Sequence, residues 1–348
     1  MKKKSLRNLK DLAENGFILP SEIEHLEPVI DQFSLALTSQ MQQLIDKTDK
    51  NDPIRKQFIP STEELTIKDE ERHDPIGDDI HTKVKGLVHR YPDRCLLMPI
   101  QMCPVYCRFC FRREKVSLTH ETLSKEELKI AYEYIDNHPE IWEVILTGGD
   151  PMMLKPAILK KIIDRINIIP HVEIIRIHTR VPVVASDHIN HDMTQALQCN
   201  KTVYIILHAN HPNELNQDAE EAICMLINAG IPILSQTVLL KNINNNIDTL
   251  STLMKRFVKL RIKPYYLHHP DLAKGTSHFR VTIKEGQKLM KDLRGKFSGL
   301  CQPTYVLDIP GGFGKIPIGP NYISEEKCDY CVEDYQGNKH KYKKPLAK

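Results

Sequence analysis

From Gly86 onward, short apolar runs alternate with amphipathic segments, and this alternation limits the fold more than any other feature of the chain. The runs Leu96–Ile100, Val144–Thr147, Ile174–His178, Val203–His208, Ile233–Leu239 and Tyr265–His268 have the length and apolar content of buried strands. Between them, helical spacing marks residues 124–136, 157–166, 219–228, 248–258 and 284–293. In the first of these, Ser124 and Glu127 form a capping box, Leu128, Ala131, Tyr132 and Ile135 form one stripe, and His138-Pro139 ends it. Six β/α repeats in series predict a parallel sheet with helices outside it and right-handed connections. An open six-unit β/α partial barrel is expected, with a flat doubly wound sheet as the alternative. Either places chemistry at the carboxyl ends of the strands.

The segment before the repeats, residues 1–85, is polar and reads as a helical N-terminal arm. Leu6, Leu9 and Leu12, then Ile23, Leu26, Val29 and Ile30, recur near helical spacing. Asp52–Pro60 reads as an extended stretch that packs on the main domain or on a second subunit. Residues 86–322 form the partial barrel, and 323–348 a basic tail. At 348 residues the chain can bury a large core, and a net charge of +3 is too small to point to nucleic acid. Nine cysteines, three of them bunched, argue for reduced thiols rather than a disulfide framework. No run is long and apolar enough for a membrane span, and the N-terminus has neither an apolar signal core nor the acid-poor character of a transit peptide. A cytoplasmic setting is expected.

The bunched cysteines, Cys103, Cys107 and Cys110, stand at C-x3-C-x2-C spacing directly after the strand Leu96–Ile100. Three thiolates can hold three irons of a [4Fe-4S] cluster and leave the fourth open to a substrate-like ligand. A tetrahedral zinc site is the competing reading, and it lacks a fourth ligand at finger or ribbon spacing. Thr147-Gly148-Gly149-Asp150 follows a strand, and two glycines there let backbone approach a ligand with N–H groups free to bond it. The loop Asp308–Lys315 is glycine-rich and ends in lysine, but Ile309 and Ile316 occupy the positions where a phosphate loop needs glycine and serine or threonine. A lysine on such a loop after a strand suits covalent attachment of pyridoxal phosphate, against the plainer reading of an exposed turn lysine. His208 and His211 lack a partner carboxylate and suggest no metal site.

Taken in order, His89–Arg94, Cys103–Arg113, Leu146–Asp150, Arg176–Arg180, His208–Glu214, Ser235–Leu240, Pro264–Leu267 and Asp308–Asn321 resemble the motifs of the lysine 2,3-aminomutase family. That family is a pyridoxal-phosphate-dependent branch of the radical S-adenosylmethionine enzymes. The resemblance spans roughly residues 52–322. It implies that Cys103, Cys107 and Cys110 hold the cluster, that Lys315 carries pyridoxal 5′-phosphate, and that Arg90 and Arg94 hold its phosphate. It further implies that Gly148, Gly149, Asp150, His208 and Gln236 contact S-adenosyl-L-methionine. Arg112 would pair with the substrate carboxylate, and Asp271 and Asp308 with the far ammonium of lysine. The implied reaction moves the α-amino group of L-lysine to its β-carbon through an imine to pyridoxal phosphate, with an external electron donor starting it. The same chemistry on glutamate or arginine is the alternative, as is supply of β-lysine for modifying elongation factor P. Neither nucleic acid nor membrane is an expected partner, and a homo-oligomer is expected. The longer members of the family carry a cysteine-rich zinc extension, of which this chain has only the pair Cys328 and Cys331.

Overall fold

The computed structural model describes residues 4–116, 122–325 and 329–344. Ten strands form one sheet whose spatial order is the chain order: β1 (Thr82–Val84), β2 (Leu87–Tyr91), β3 (Arg94–Ile100), β4 (Glu143–Gly148), β5 (Ile174–Thr179), β6 (Thr202–His208), β7 (Ile233–Val238), β8 (Ile262–His268), β9 (Thr304–Asp308) and β10 (Lys315–Pro317). Strands β3 to β9 are parallel, while β1–β2–β3 and β9–β10 pair antiparallel. A doubly wound sheet reverses its strand order at a switch point, and this sheet never does. The partial barrel is therefore the architecture, with β9 as an additional parallel strand after the sixth repeat.

The parallel strands explain themselves through their burial. On β5 the residues alternate, with Ile175, Ile177 and Thr179 buried under the outer helices and Ile174, Arg176 and His178 half-buried on the inner face. Strand β7 does the same, presenting Leu234, Gln236 and Val238 inward. The helix Lys125–Asp136 begins at Ser124 with the expected capping box. The helices Pro156–Asn167, Gln217–Asn228, Ile247–Lys259 and Ile283–Lys296 bury single stripes against the sheet.

The arm packs on the barrel of its own chain. Leu12, Val29, Met41, Ile54 and Phe58 are fully buried in the same core cluster as the strands, each contributing roughly 1.5–3 kcal/mol of burial. The stretch read as extended contains a helix, Pro53–Phe58. Asp52 is its N-cap, accepting from the Ile54 and Arg55 amides at 3.0 and 2.6 Å, and Pro53 takes the first helical position, where its missing N–H costs nothing. The tail contains a separate antiparallel sheet, β11 (Ile323–Glu325), β12 (Asp329–Glu333) and β13 (Lys339–Lys343). Cys331 lies on β12, and Cys328 falls outside the described residues.

The two edges of the large sheet meet without pairing as strands. The Lys315 amide donates to the Tyr91 hydroxyl at 2.7 Å, and His81 Nε2 lies 2.9 Å from the Gly312 carbonyl. Gly77 and Gly312 have positive φ and touch so closely that a Cβ on Gly77 would sit 2.4 Å from the Gly312 nitrogen. The glycine loop thus closes the lateral gap of the barrel.

Candidate active site

Two groups of side chains stand at the carboxyl ends of the strands. The first surrounds the cysteines. Cys103, Cys107 and Cys110 line one cavity beneath the loop that follows β3. Burial raises all three thiols, Cys110 to about 11, and each thiol's neighbouring cysteines raise it further where they bear on it. Three such groups become thiolates together only with positive charge supplied among them, as a bound metal centre does. Among the described residues no three His, Cys, Asp or Glu side chains converge on one point, as a mononuclear ion requires. An iron–sulfur cluster asks for one thiolate per iron, and this arrangement fits it.

The arm grips this loop. Glu64, wholly buried, accepts from Arg108 Nε at 2.9 Å and Nη2 at 2.6 Å, and is also bonded to Arg113. Burial alone would raise the Glu64 carboxyl, but the two guanidinium groups hold it below the usual range. Arg113 lies over the Phe33 ring at 3.5 Å, and Arg108 donates to the Ser34 carbonyl.

The glycine pair of β4 is explained by the same loop. A Cβ on Gly149 would lie 2.4 Å from the Met102 carbonyl oxygen, and one on Gly148, at φ +102°, would meet Ile100 and Met98. The Gly149 and Asp150 amides, expected to be free for a ligand, are spent on the Ile100 and Met102 carbonyls at 2.7 and 2.9 Å. The Asp150 carboxylate, expected to touch the cofactor, instead accepts from Thr179 Oγ1, the Arg180, Val181 and Met152 amides. Glycines are needed here for the close passage of backbone leading to Cys103, and Asp150 braces β4 to β5. His208 and Gln236 stand side by side in register on β6 and β7. Burial holds the His208 imidazole well below its usual pKa, and its Nε2 lies 3.2 Å from Asn210 Oδ1.

The second group surrounds Lys315, the first residue of β10, paired opposite Asp308. Its ammonium is ion-paired with Asp308, lies 3.3 Å from His268 Nδ1, and stands 5.6 Å from the Tyr266 ring centroid. Burial would raise the Asp308 carboxyl, but the neighbouring His268 ring, 3.8 Å away, and the Lys315 charge outweigh it and hold it well below the usual range. Asp271 shows the opposite result: burial, and then the charge of Asp308, raise it to about 7. Burial lowers His268 to about 4, so the ring is neutral.

Arg112 reaches toward this group but is held by Asp78, which accepts from its Nε and Nη2 at 2.9 and 2.8 Å, with Thr147 Oγ1 at 3.3 Å from Nη1. Arg90 shares Asp78, at 3.0 Å, and donates to the Ile76 carbonyl. Arg94 is apart from it, stacked on the Tyr91 ring at 3.8 Å and bonded to Asp93 at 2.5 Å. Asp78, Glu64, Tyr91 and His268 were not singled out by motif; a counter-charge for Arg90 and Arg112 was the one signal available for Asp78. Several buried nitrogens have no hydrogen-bond partner among the described residues: His178 Nε2, His268 Nε2, Arg90 Nε and Arg176 Nε. Unsatisfied buried donors around a lysine fit an anionic, acceptor-rich group such as pyridoxal phosphate.

Thiols placed for a three-cysteine cluster at the mouth of a parallel partial barrel define a radical S-adenosylmethionine protein, and the Radical SAM superfamily model matches residues 97–253. A second family model, Lysine-2,3-aminomutase, matches residues 290–347. The chain is 36% identical to L-lysine 2,3-aminomutase of Clostridium subterminale, covering 98% of this chain and 82% of that protein. It is 34% identical to L-lysine 2,3-aminomutase of Bacillus subtilis strain 168 (98% and 73% covered), and 36% identical to glutamate 2,3-aminomutase of Clostridioides difficile strain 630 (89% and 74%). The chain belongs to the lysine 2,3-aminomutase family of radical S-adenosylmethionine enzymes, and is an isomerase of the aminomutase type. No helix among the described residues is long and apolar enough to cross a membrane.

Proposed function

We propose that this chain moves the α-amino group of L-lysine to the β-carbon, giving β-lysine. The observation that carries this reading is the acidic pair, Asp271 and Asp308, beside Lys315 in a buried chamber. Asp308 already binds an ammonium, that of Lys315. Once Lys315 gives up its charge to hold pyridoxal phosphate, the carboxylate is released to take the ε-ammonium of lysine in its place. Asp271 ionises as that second positive charge arrives, since the cation stabilises the charged form. Arg112 takes the substrate carboxylate in the forked geometry that guanidinium favours, exchanging part of its bond with Asp78.

Cys103, Cys107 and Cys110 hold the cluster, with His208 and Gln236 next to S-adenosylmethionine. Arg94, stacked on Tyr91, and Arg90 hold the phosphate. The bound cofactors supply hydrogen-atom abstraction at carbon and an unsaturated bond to nitrogen across which an amino group can shift. The protein holds the reacting atoms in line and excludes water: neutral His178, His208 and His268 add no competing charge to the chamber. Glutamate is the second reading, because a glutamate 2,3-aminomutase is among the relatives at similar identity. Its side-chain carboxylate would face Asp271 and Asp308, a like-charge contact the acidic pair opposes.

The test is anaerobic reconstitution with iron, sulfide, pyridoxal phosphate, S-adenosylmethionine and reductant, followed by a panel of amino acids. β-Lysine from lysine is expected. Turnover of glutamate or arginine with lysine inert would overturn the proposal.

A further inference from the structure

The cysteine loop carries one contact that cluster ligation does not call for. Arg180, at the carboxyl end of β5, donates from Nη1 to Cys107 Sγ at 2.8 Å. Its Nη2 donates to Gln57 Oε1 at 2.6 Å and Glu214 Oε2 at 2.7 Å, and its Cζ lies 4.6 Å from the Phe58 ring centroid and 5.5 Å from that of Phe109. The second oxygen of Glu214 is filled by Gln57 Nε2 and by the Asn210 and His211 amides, at 3.0, 2.9 and 2.9 Å. Asn210 closes the ring, donating to Gln57 and accepting from the Val238 amide. Gln57, Asn210 and Glu214 are wholly inaccessible, and Arg180 is 5% exposed.

A buried ion pair of this kind contributes little net stability against an apolar replacement, so its retention asks for another explanation. All acceptors on one side of the guanidinium are fixed by the arm and by the loop after β6. With Nη2 satisfied on both sides, Nη1 is aimed at the sulfur, which in the loaded enzyme would be a cluster ligand, while Nε has no partner among the described residues. Hydrogen bonds to cluster sulfurs stabilise the electron-rich reduced state and raise the reduction potential.

We infer that Arg180 is a positioning residue that raises the reduction potential of the cluster through its N–H···Sγ bond to Cys107, with Gln57 of the N-terminal arm and Glu214 fixing its aim. This rests on the reading of the three cysteines as cluster ligands. It makes the arm, remote in sequence from the cysteines, part of the electron-accepting apparatus.

The experiment is anaerobic potentiometry of the reconstituted full-length protein, following the reduced cluster by electron paramagnetic resonance, with iron and sulfide counted in each sample. In Arg180→Gln, the reduced-to-oxidised ratio at the wild-type midpoint is expected to fall at least tenfold, a negative shift of about 60 mV for one electron. Arg180→Lys keeps the charge and one donor, and is expected to shift in the same direction by less. A fully loaded Arg180→Gln with the wild-type midpoint overturns the inference. If that variant does not load, Arg180→Lys decides: an unchanged midpoint overturns it. Failure of both to load also overturns it, since Arg180 would then build the site rather than tune it. Wild-type protein that shows no reducible four-iron signal would instead refute the cluster reading itself.

Discussion

The two halves of the site are built in opposite ways. The cysteine loop is clamped from beneath by buried charge: Glu64 between Arg108 and Arg113, and Arg180 between Glu214, Gln57 and Cys107. The lysine loop is held lightly, by the Tyr91 hydroxyl, the His81 ring and a glycine-to-glycine backbone contact, and its Phe313 is 79% exposed. Under the proposed function, the cysteines would hold a centre that accepts an electron, and such a centre would gain from a fixed surround. On the same proposal, Lys315 would take on a cofactor and then exchange it for substrate, and would gain from a wall that can part. The barrel puts the rigid end where the strands are continuous and the light end where the sheet's edges meet.

The largest effect is expected at Glu64. Glu64→Ala leaves Arg108 and Arg113 buried side by side without their shared counter-charge, a loss on the order of 3–5 kcal/mol. Urea unfolding and iron loading should both register it; a variant with wild-type stability and full iron content would show that the clamp is decorative.

A smaller, signed effect is expected at the other end. Asp271 is raised to about 7 in the folded chain, above its unfolded value of about 3.9. Between those values the folded state keeps a proton that the unfolded state has released, so this group's contribution to the stability of the ligand-free protein declines as pH rises from about 4 to about 7. Asp271→Asn removes that slope. Comparing urea midpoints of the two proteins at pH 5 and pH 8 checks it, with the variant gaining on the wild type at the higher pH. Equal differences at both pH values would contradict the environment described for Asp271.

The smallest effect belongs to the seam. Tyr91→Phe removes the acceptor for the Lys315 amide, costing about 1 kcal/mol, and should quicken proteolysis within residues 310–314. Unchanged cleavage there would mean that the loop is held by something other than these edge contacts.

What could be read beforehand divides along the same line. Strands β4 to β8 were legible because strands buried in a parallel sheet are runs of apolar residues, and the helix at Lys125–Asp136 announced itself through Ser124 and Glu127. Strands β1 and β10 are three residues each, too short for any period. Strand β13, Lys339–Lys343, is exposed along its whole length and so has no apolar face to betray it. The stretch from Asp52 read as extended because an Asp-Pro pair, which interrupts many chains, here begins a helix. In the site, Cys103, Cys107, Cys110 and Lys315 stand out by spacing. Glu64, Gln57 and Asp78 lie in a polar arm with no motif, and only the packing of that arm onto the loop gives them a role. Gly148 and Gly149 drew attention for the correct reason, close approach of backbone, but what approaches is the strand leading to Cys103.

The central claim is that the cluster end and the Lys315 end act on one molecule of lysine in one chamber. Lysine carrying deuterium at its β-carbon, given to the reconstituted enzyme, tests it directly. Deuterium in recovered S-adenosylmethionine, together with β-lysine formation, is expected. β-Lysine formed with no deuterium in S-adenosylmethionine would contradict it.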